Sequence, residues 1–158
     1  MDKKVRLLVS LERKVKQDLD SAIEKAVDFH GHLGPFLVVG VRMGITALQR
    51  LETRKGDAAL RAVVSVKRSV PFSCAIDGIQ VTTRCTIGNG RLRLRNSSRE
   101  ISTTLEISGR RRVTVTLKPA KLAELRRAVT KMKVSERLEA IARAVASMPE
   151  QELFIIRE

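Results

Sequence analysis

The two histidines of this chain, His30 and His32, are separated by a single glycine in the stretch DFHGHLGPFLVVG, residues 28–40. An imidazole nitrogen can ligate a metal, act as a general base or shuttle a proton, so this segment is the first place to look for chemistry. Cys74 and Asp77 add a thiol and a carboxylate three residues apart, hence on one face of any helix that contains them. Nitrogen, sulfur and oxygen donors together suit a divalent transition metal, zinc above all. Each residue also has a plainer structural role open to it: a hydrogen-bonded core or helix-end imidazole, or a small buried thiol.

Cys74 falls in the first turn of a helix predicted over 73–83, with Ser73 as its N-cap. There the helix dipole is expected to lower the thiol pKa. Cys85 is eleven residues further on and in phase, but an unbroken helix would hold the two sulfurs roughly 16 Å apart. They could then share neither an ion nor a disulfide. Only a helix ending near Thr82 would return Cys85 towards the site, so it ranks below Cys74.

Two further helices must present the histidines. From Leu11, the residues Val15, Leu19, Ala22, Ile23 and Ala26 recur at helical spacing, with Lys14, Lys16, Asp18, Glu24 and Lys25 opposite them. His30 lies eleven residues after Leu19 and so shares its inward direction. Gly31 suits the left-handed position that ends a helix. Pro35 fits the first turn of the next helix, 35–51, which is apolar almost all round through Ile45. Gly40 and Gly44 on one face predict that another backbone packs close. Arg42, the one charge in the first half of that helix, calls for an acidic or anionic partner. The expectation is that both imidazoles and the start of the 73–83 helix meet around one polar hole inside the fold.

Strands are predicted at 60–68 and at 91–95, where RLRLR alternates to put Arg91, Arg93 and Arg95 on one face. A hairpin is predicted from 101–107 and 112–117. Pro119 opens a helix with the stripe Leu122, Leu125, Val129 and Met132; Ser135 opens another with Leu138, Ile141, Val145 and Met148. A short strand at 153–156 closes the chain. Helices bracketing hairpin-connected strands predict one α+β domain over residues 1–158. There is no dinucleotide fingerprint and no P-loop.

The chain has 158 residues, with 31 Lys and Arg against 17 Asp and Glu for a net charge of +14. That excess fits an anionic partner such as nucleic acid, or a solvated surface of the heat-adapted type. With no Trp, no Tyr and four Phe, there is little from which to build a base-stacking platform, though phosphate contact stays open. The apolar run 33–41 falls far short of the roughly 20 residues that cross a bilayer, so no membrane association is expected. Two cysteines without a secretory signal predict reduced thiols in a cytoplasm.

FHGHLGPFLVVGVRMG (29–44) followed by CAIDGIQVTTRCTIGNGRL (74–92) resembles the E-subunit family of formylmethanofuran dehydrogenase. Its members pair an F-H-G-H-x-C-P-G motif ahead of a G-x-R-M/A-G helix with a C-A-x-D-x-I-Q-x-x-T-G-C-T-x-G-x-G segment. The resemblance implies a mixed, largely antiparallel sheet with helices packed on it, like the fold shared by that family and the glyceraldehyde-3-phosphate dehydrogenase C-terminal domain. It also implies a metal-associated pocket, zinc being the metal expected, a homodimer, and an archaeal or anaerobic setting of molybdenum or tungsten formylmethanofuran metabolism, with the other components of the dehydrogenase as partners. The metal positions it points to are His30, His32, Cys74 and Asp77, surrounded by Arg42, Gln80, Cys85, Gly88, Asn89 and Gly90. Two departures stand out: Gly34 replaces the motif's cysteine, which leaves a coordination position open, and Arg84 replaces the glycine before the later cysteine. With two cysteines, the chain is expected to lack the C-terminal zinc ribbon of longer relatives.

The resemblance does not assign a reaction, since the chain shows no iron–sulfur ligand set of its own. Two other readings compete with a metal-binding domain. One is a basic module that docks nucleic acid or another anion through the 91–95 face and Arg110–Arg112. The other is a non-catalytic homodimer in which the histidine motif only shapes a helix junction.

Overall fold

The computed structural model describes residues 2–131 and 135–158. Helix α1 spans Lys3–His30 and starts eight residues before the predicted Leu11, because the apolar periodicity continues back through Leu8 and Val5. Asp2 caps it, accepting from the Lys4 amide at 3.4 Å. As predicted, Gly31 ends it in the left-handed region, φ 103°, with its N–H on the Val27 carbonyl at 2.7 Å.

Helix α2, Pro35–Arg50, follows at once, and its first seven residues are all buried. It is the central element of the fold, packed against strands on one side and against other helices around the rest. Helix α3, Cys74–Thr83, crosses it at unusually close range. A methyl group on Gly40 would come within 2.7 Å of the Ala75 carbonyl carbon, and one on Gly78 within 2.8 Å of the Gly40 carbonyl carbon. The backbone predicted to lie on the glycines of α2 is therefore that of α3, and the contact fixes Cys74 and Asp77 relative to the start of α2. Ser73 makes no side-chain cap, contrary to the sequence expectation, since it already has helical dihedrals and its hydroxyl does not reach back.

The strands are β1 (Leu60–Val66), β2 (Leu92–Asn96), β3 (Ser102–Ile107), β4 (Arg111–Leu117) and β5 (Phe154–Arg157), in the sheet order β2-β1-β3-β4-β5. β1 and β2 are parallel, with Ala62 opposite Leu92, and α3 lies in the connection between them. The other three pairings are antiparallel. The architecture is thus α+β with a mixed, largely antiparallel sheet, as expected. The inner face carries Leu60, Ala62, Val64, Leu105, Val113 and Val115, all buried, while Arg61, Arg93, Arg95 and Arg112 stand exposed on the outer one. Arg91 precedes β2, is half-buried, and donates to the Asp57 carbonyl at 3.3 Å.

Helices α4 (Pro119–Lys131), α5 (Ser135–Ser147) and the short α6 (Glu150–Leu153) complete the order. Leu125, Ala142 and Val145 are their buried contacts, together with Leu153. Met132 of the predicted stripe lies outside the described residues. Among the described residues no helix is long and apolar enough to cross a membrane.

Candidate metal centre

His30 is the last residue of α1, Gly31 turns the chain, His32 stands in the connection to α2, and Cys74 is the first residue of α3. One ligand atom from each of His30, His32 and Cys74 lies within 4.8 Å of those of the other two. The two rings are 4.6 Å apart at their centroids and inclined by 42°. His32 is exposed and Cys74 buried, so the three meet at the surface, where the α1–α2 turn covers the start of α3. The interior hole expected from sequence is instead an open edge, because Gly31 swings His32 outward.

His30 Nδ1 is 2.6 Å from Asp77 Oδ2, and the imidazole is only 13% exposed. A carboxylate is an acceptor, so it holds the proton on Nδ1 and leaves Nε2 as the lone-pair nitrogen. Nε2 is buried and has no hydrogen-bond partner. A buried acceptor without a partner costs about 1–3 kcal/mol, and a cation bound there removes that cost.

Asp77 does not join the three as a neighbour of equal rank; its carboxylate is engaged by His30 on one oxygen and by Gln80 Nε2 at 3.3 Å on the other. Gln80 Oε1 in turn accepts from the Ile87 amide at 3.0 Å. The 86–90 loop is thereby tied to Asp77, and through Asp77 to His30. Asn89 folds that loop: its Oδ1 accepts from the Thr86 and Arg91 amides, and its Nδ2 donates to the Arg84 carbonyl at 2.8 Å. Gly90 occupies the left-handed region, φ 71°, while Gly88 is exposed and a Cβ there would lie 3.9 Å from Thr86 Oγ1.

Two of the sequence candidates are turned elsewhere. α3 ends at Thr83 and Arg84 is left-handed, but the chain then leads Cys85 into the core, where its thiol lies 3.6 Å from the Leu60 carbonyl and it is 1% exposed. Arg42 Nη1 donates to the Val145 carbonyl at 2.9 Å and to that of Met148. It satisfies the last carbonyls of α5, with Glu150 supplying the nearby negative charge that its sequence position demanded. Burial pulls the Arg42 pKa down and Glu150 opposes that.

The Cys74 thiol also departs from expectation. Burial pushes its pKa up, the Asp77 charge adds to the rise, and the amide hydrogen bond at the helix start pulls down without prevailing. At neutral pH and without a cation Cys74 is a thiol. The position of the absent motif cysteine borders the centre: a Cβ on Gly34 would lie 3.6 Å from His32 Nε2.

The Asp77–His30 bond and its Gln80–Ile87 support do not follow from sequence. The three-residue step from Cys74 to Asp77 gives a shared face, but phase alone does not say whether a carboxylate meets an ion or an imidazole.

A family model described as "FmdE, Molybdenum formylmethanofuran dehydrogenase operon" matches residues 29–155. A protein of Archaeoglobus fulgidus described as "Probable S-adenosyl-L-methionine-binding protein" is 35% identical over 82 residues, which are 51% of this chain and 22% of that protein. The chain therefore aligns with only about a fifth of that relative.

Proposed function

Because the chain belongs to the FmdE family, we propose that His30, His32 and Cys74 hold a divalent transition metal, zinc in the first instance, in a domain that serves molybdenum or tungsten formylmethanofuran metabolism alongside the other components of the dehydrogenase. The observation that carries this reading is the buried, partnerless His30 Nε2 beside a second imidazole and a thiol, with its opposite nitrogen held by a carboxylate. Two nitrogens and one sulfur are a donor set that zinc accepts. A metal bound there would supply Lewis acidity towards a substrate oxygen.

The chain's own residues do the rest. Asp77 keeps the proton on Nδ1 and fixes the ring plane, Gln80 holds Asp77 from behind, and Gly34 leaves one flank of the centre clear of any side chain. His32, being exposed, leaves the centre accessible from solvent. Metal analysis of protein purified without added metal, beside His32→Ala, tests the reading: about one metal per chain and a sharp loss in the variant are expected. Equal content near zero in both would end it. S-adenosyl-L-methionine, named in the description of the relative, belongs in the same titrations as a candidate ligand.

A second reading rests on the outer face of the sheet. Arg61, Arg93, Arg95 and Arg112 share it with a single carboxylate, Glu106, which Arg112 engages at 2.8 Å. Such a face suits the phosphate backbone of a nucleic acid and offers no aromatic platform for its bases. Affinity for duplex DNA or RNA should then fall steeply with salt; a flat response would exclude it.

A further inference from the structure

Strand β2 lies at one edge of the sheet and pairs with β1 alone. The parallel register settles which of its main-chain groups face outward. Ala62 N–H donates to the Arg91 carbonyl at 2.8 Å and Ser97 N–H to the Val66 carbonyl at 3.0 Å, so the amides and carbonyls of Arg93 and Arg95 turn towards β1 and those of Leu94 and Asn96 turn away from it. The Leu92 N–H is taken by the Thr86 carbonyl at 3.1 Å; beyond it, among the described residues, no other main chain pairs with Leu94 or Asn96 on the open side.

Side chains along this edge divide by face. Arg93 and Arg95 stand exposed on the outer face, opposite Val63 and Ser65 of β1, and neither makes an ion pair among the described residues. Glu106 lies two strands in, on β3, and is engaged by Arg112 at 2.8 Å. Beside the arginines the outer face is hollowed by about 430 Å³ over Val63, Ser65 and Thr104. On the inner face Leu92 is buried and Leu94 half-buried against the core. Cations on an edge strand hinder pairing with a further basic chain, and by the same field they favour an acidic one.

We propose that the free edge of β2 takes an extended acidic segment of another protein as an added antiparallel strand, with alternate carboxylates on the outer face and apolar side chains on the inner one. The main-chain groups of Leu94 and Asn96 hold it in register. Its carboxylate residues stand beside Arg93 and Arg95 at the cross-strand distance of about 4.5–5.5 Å between Cβ atoms, and its apolar residues continue the row of Leu92 and Leu94. A second copy of this chain does not fit, because pairing β2 with β2 while the leucines stay on the inner face sets arginine beside arginine. A nucleic acid reaches the arginines, but its phosphate oxygens are acceptors and leave the open carbonyls of the edge unmatched. The metal centre plays no part in the inference.

The probe is an acetylated peptide of alternating glutamate and valine, labelled for fluorescence anisotropy and titrated with the full chain. Binding in the micromolar range is expected, weakened at least about tenfold when lysine replaces glutamate. Arg93→Glu with Arg95→Glu should reverse that preference with unchanged far-UV circular dichroism, since both side chains are exposed. In the antiparallel pair the valine amides face β2 and the glutamate amides face away. N-methylation of the valines should therefore abolish binding, and N-methylation of the glutamates should leave it. No binding to the unaltered chain overturns the proposal. So does binding indifferent to N-methylation of the valines, which is charge attraction without strand addition, and so does a duplex DNA that binds through Arg93 and Arg95 while the peptide does not.

Discussion

Asp77 Oδ2 lies 2.6 Å from His30 Nδ1, joining the first turn of α3 to the last residue of α1. This bond decides which imidazole nitrogen is left for a ligand, and it gives Asp77 a role through His30 rather than beside it.

Asp77→Asn should therefore weaken metal binding by about 10–100-fold, the usual effect of losing a carboxylate that orients a ligand imidazole. Cys74→Ser and His32→Ala should each cost more. Competition against a chromophoric chelator measures all three. If Asp77→Asn proves as damaging as Cys74→Ser, the carboxylate is itself a ligand.

Gly34→Cys should tighten zinc binding at least about tenfold, because the new side chain would start 3.6 Å from His32 Nε2 and add a soft donor. The extended backbone at Gly34, φ −139° and ψ 157°, accepts any residue without strain. Unchanged affinity in a correctly folded variant would place the open flank of the centre elsewhere.

Gly78→Ala should destabilise the fold by about 3 kcal/mol, since its methyl group meets the backbone of α2, which cannot step aside without separating the two helices. Gly88→Ala, where an added Cβ would make only an ordinary contact with Thr86 Oγ1 at 3.9 Å, should change stability by less than about 0.5 kcal/mol. Urea unfolding of both variants makes the comparison, and equal effects would mean that the α2–α3 crossing is looser than described.

The Gly31 stop, the Pro35 start and the glycine pair of α2 are legible in the sequence because they are local backbone requirements, and local requirements are written in local sequence. The fates of Cys85 and Arg42 are not, because each depends on what a distant segment presents: the Leu60 carbonyl of β1 for one, the end of α5 for the other. The Cys74 thiol departs from its sequence reading for a related reason. Helix position favours the thiolate, but the neighbours that bury it and the Asp77 charge outweigh that effect, and only the packed fold reveals them.

Cys85 yields a pH prediction. Burial raises its folded pKa above the ordinary thiol value of 9.0, despite the lowering effects of Thr83, Arg91 and Arg61. The folded state thus holds the proton more tightly than the unfolded one. The associated stability is fully present below the unfolded pKa and is lost as pH rises through the folded value. Melting temperature of metal-free protein should fall from about pH 9 upwards, and Cys85→Ala should show a shallower alkaline decline from its own starting stability. An equally steep decline in that variant would acquit this thiol.

Zinc K-edge absorption of the reconstituted chain addresses the metal centre most directly. The expected spectrum has nitrogen scatterers at about 2.0–2.1 Å and one sulfur at about 2.3 Å, the sulfur vanishing in Cys74→Ser. A first shell of light atoms alone in the unaltered chain, indifferent to Cys74→Ser, would contradict a centre built from His30, His32 and Cys74.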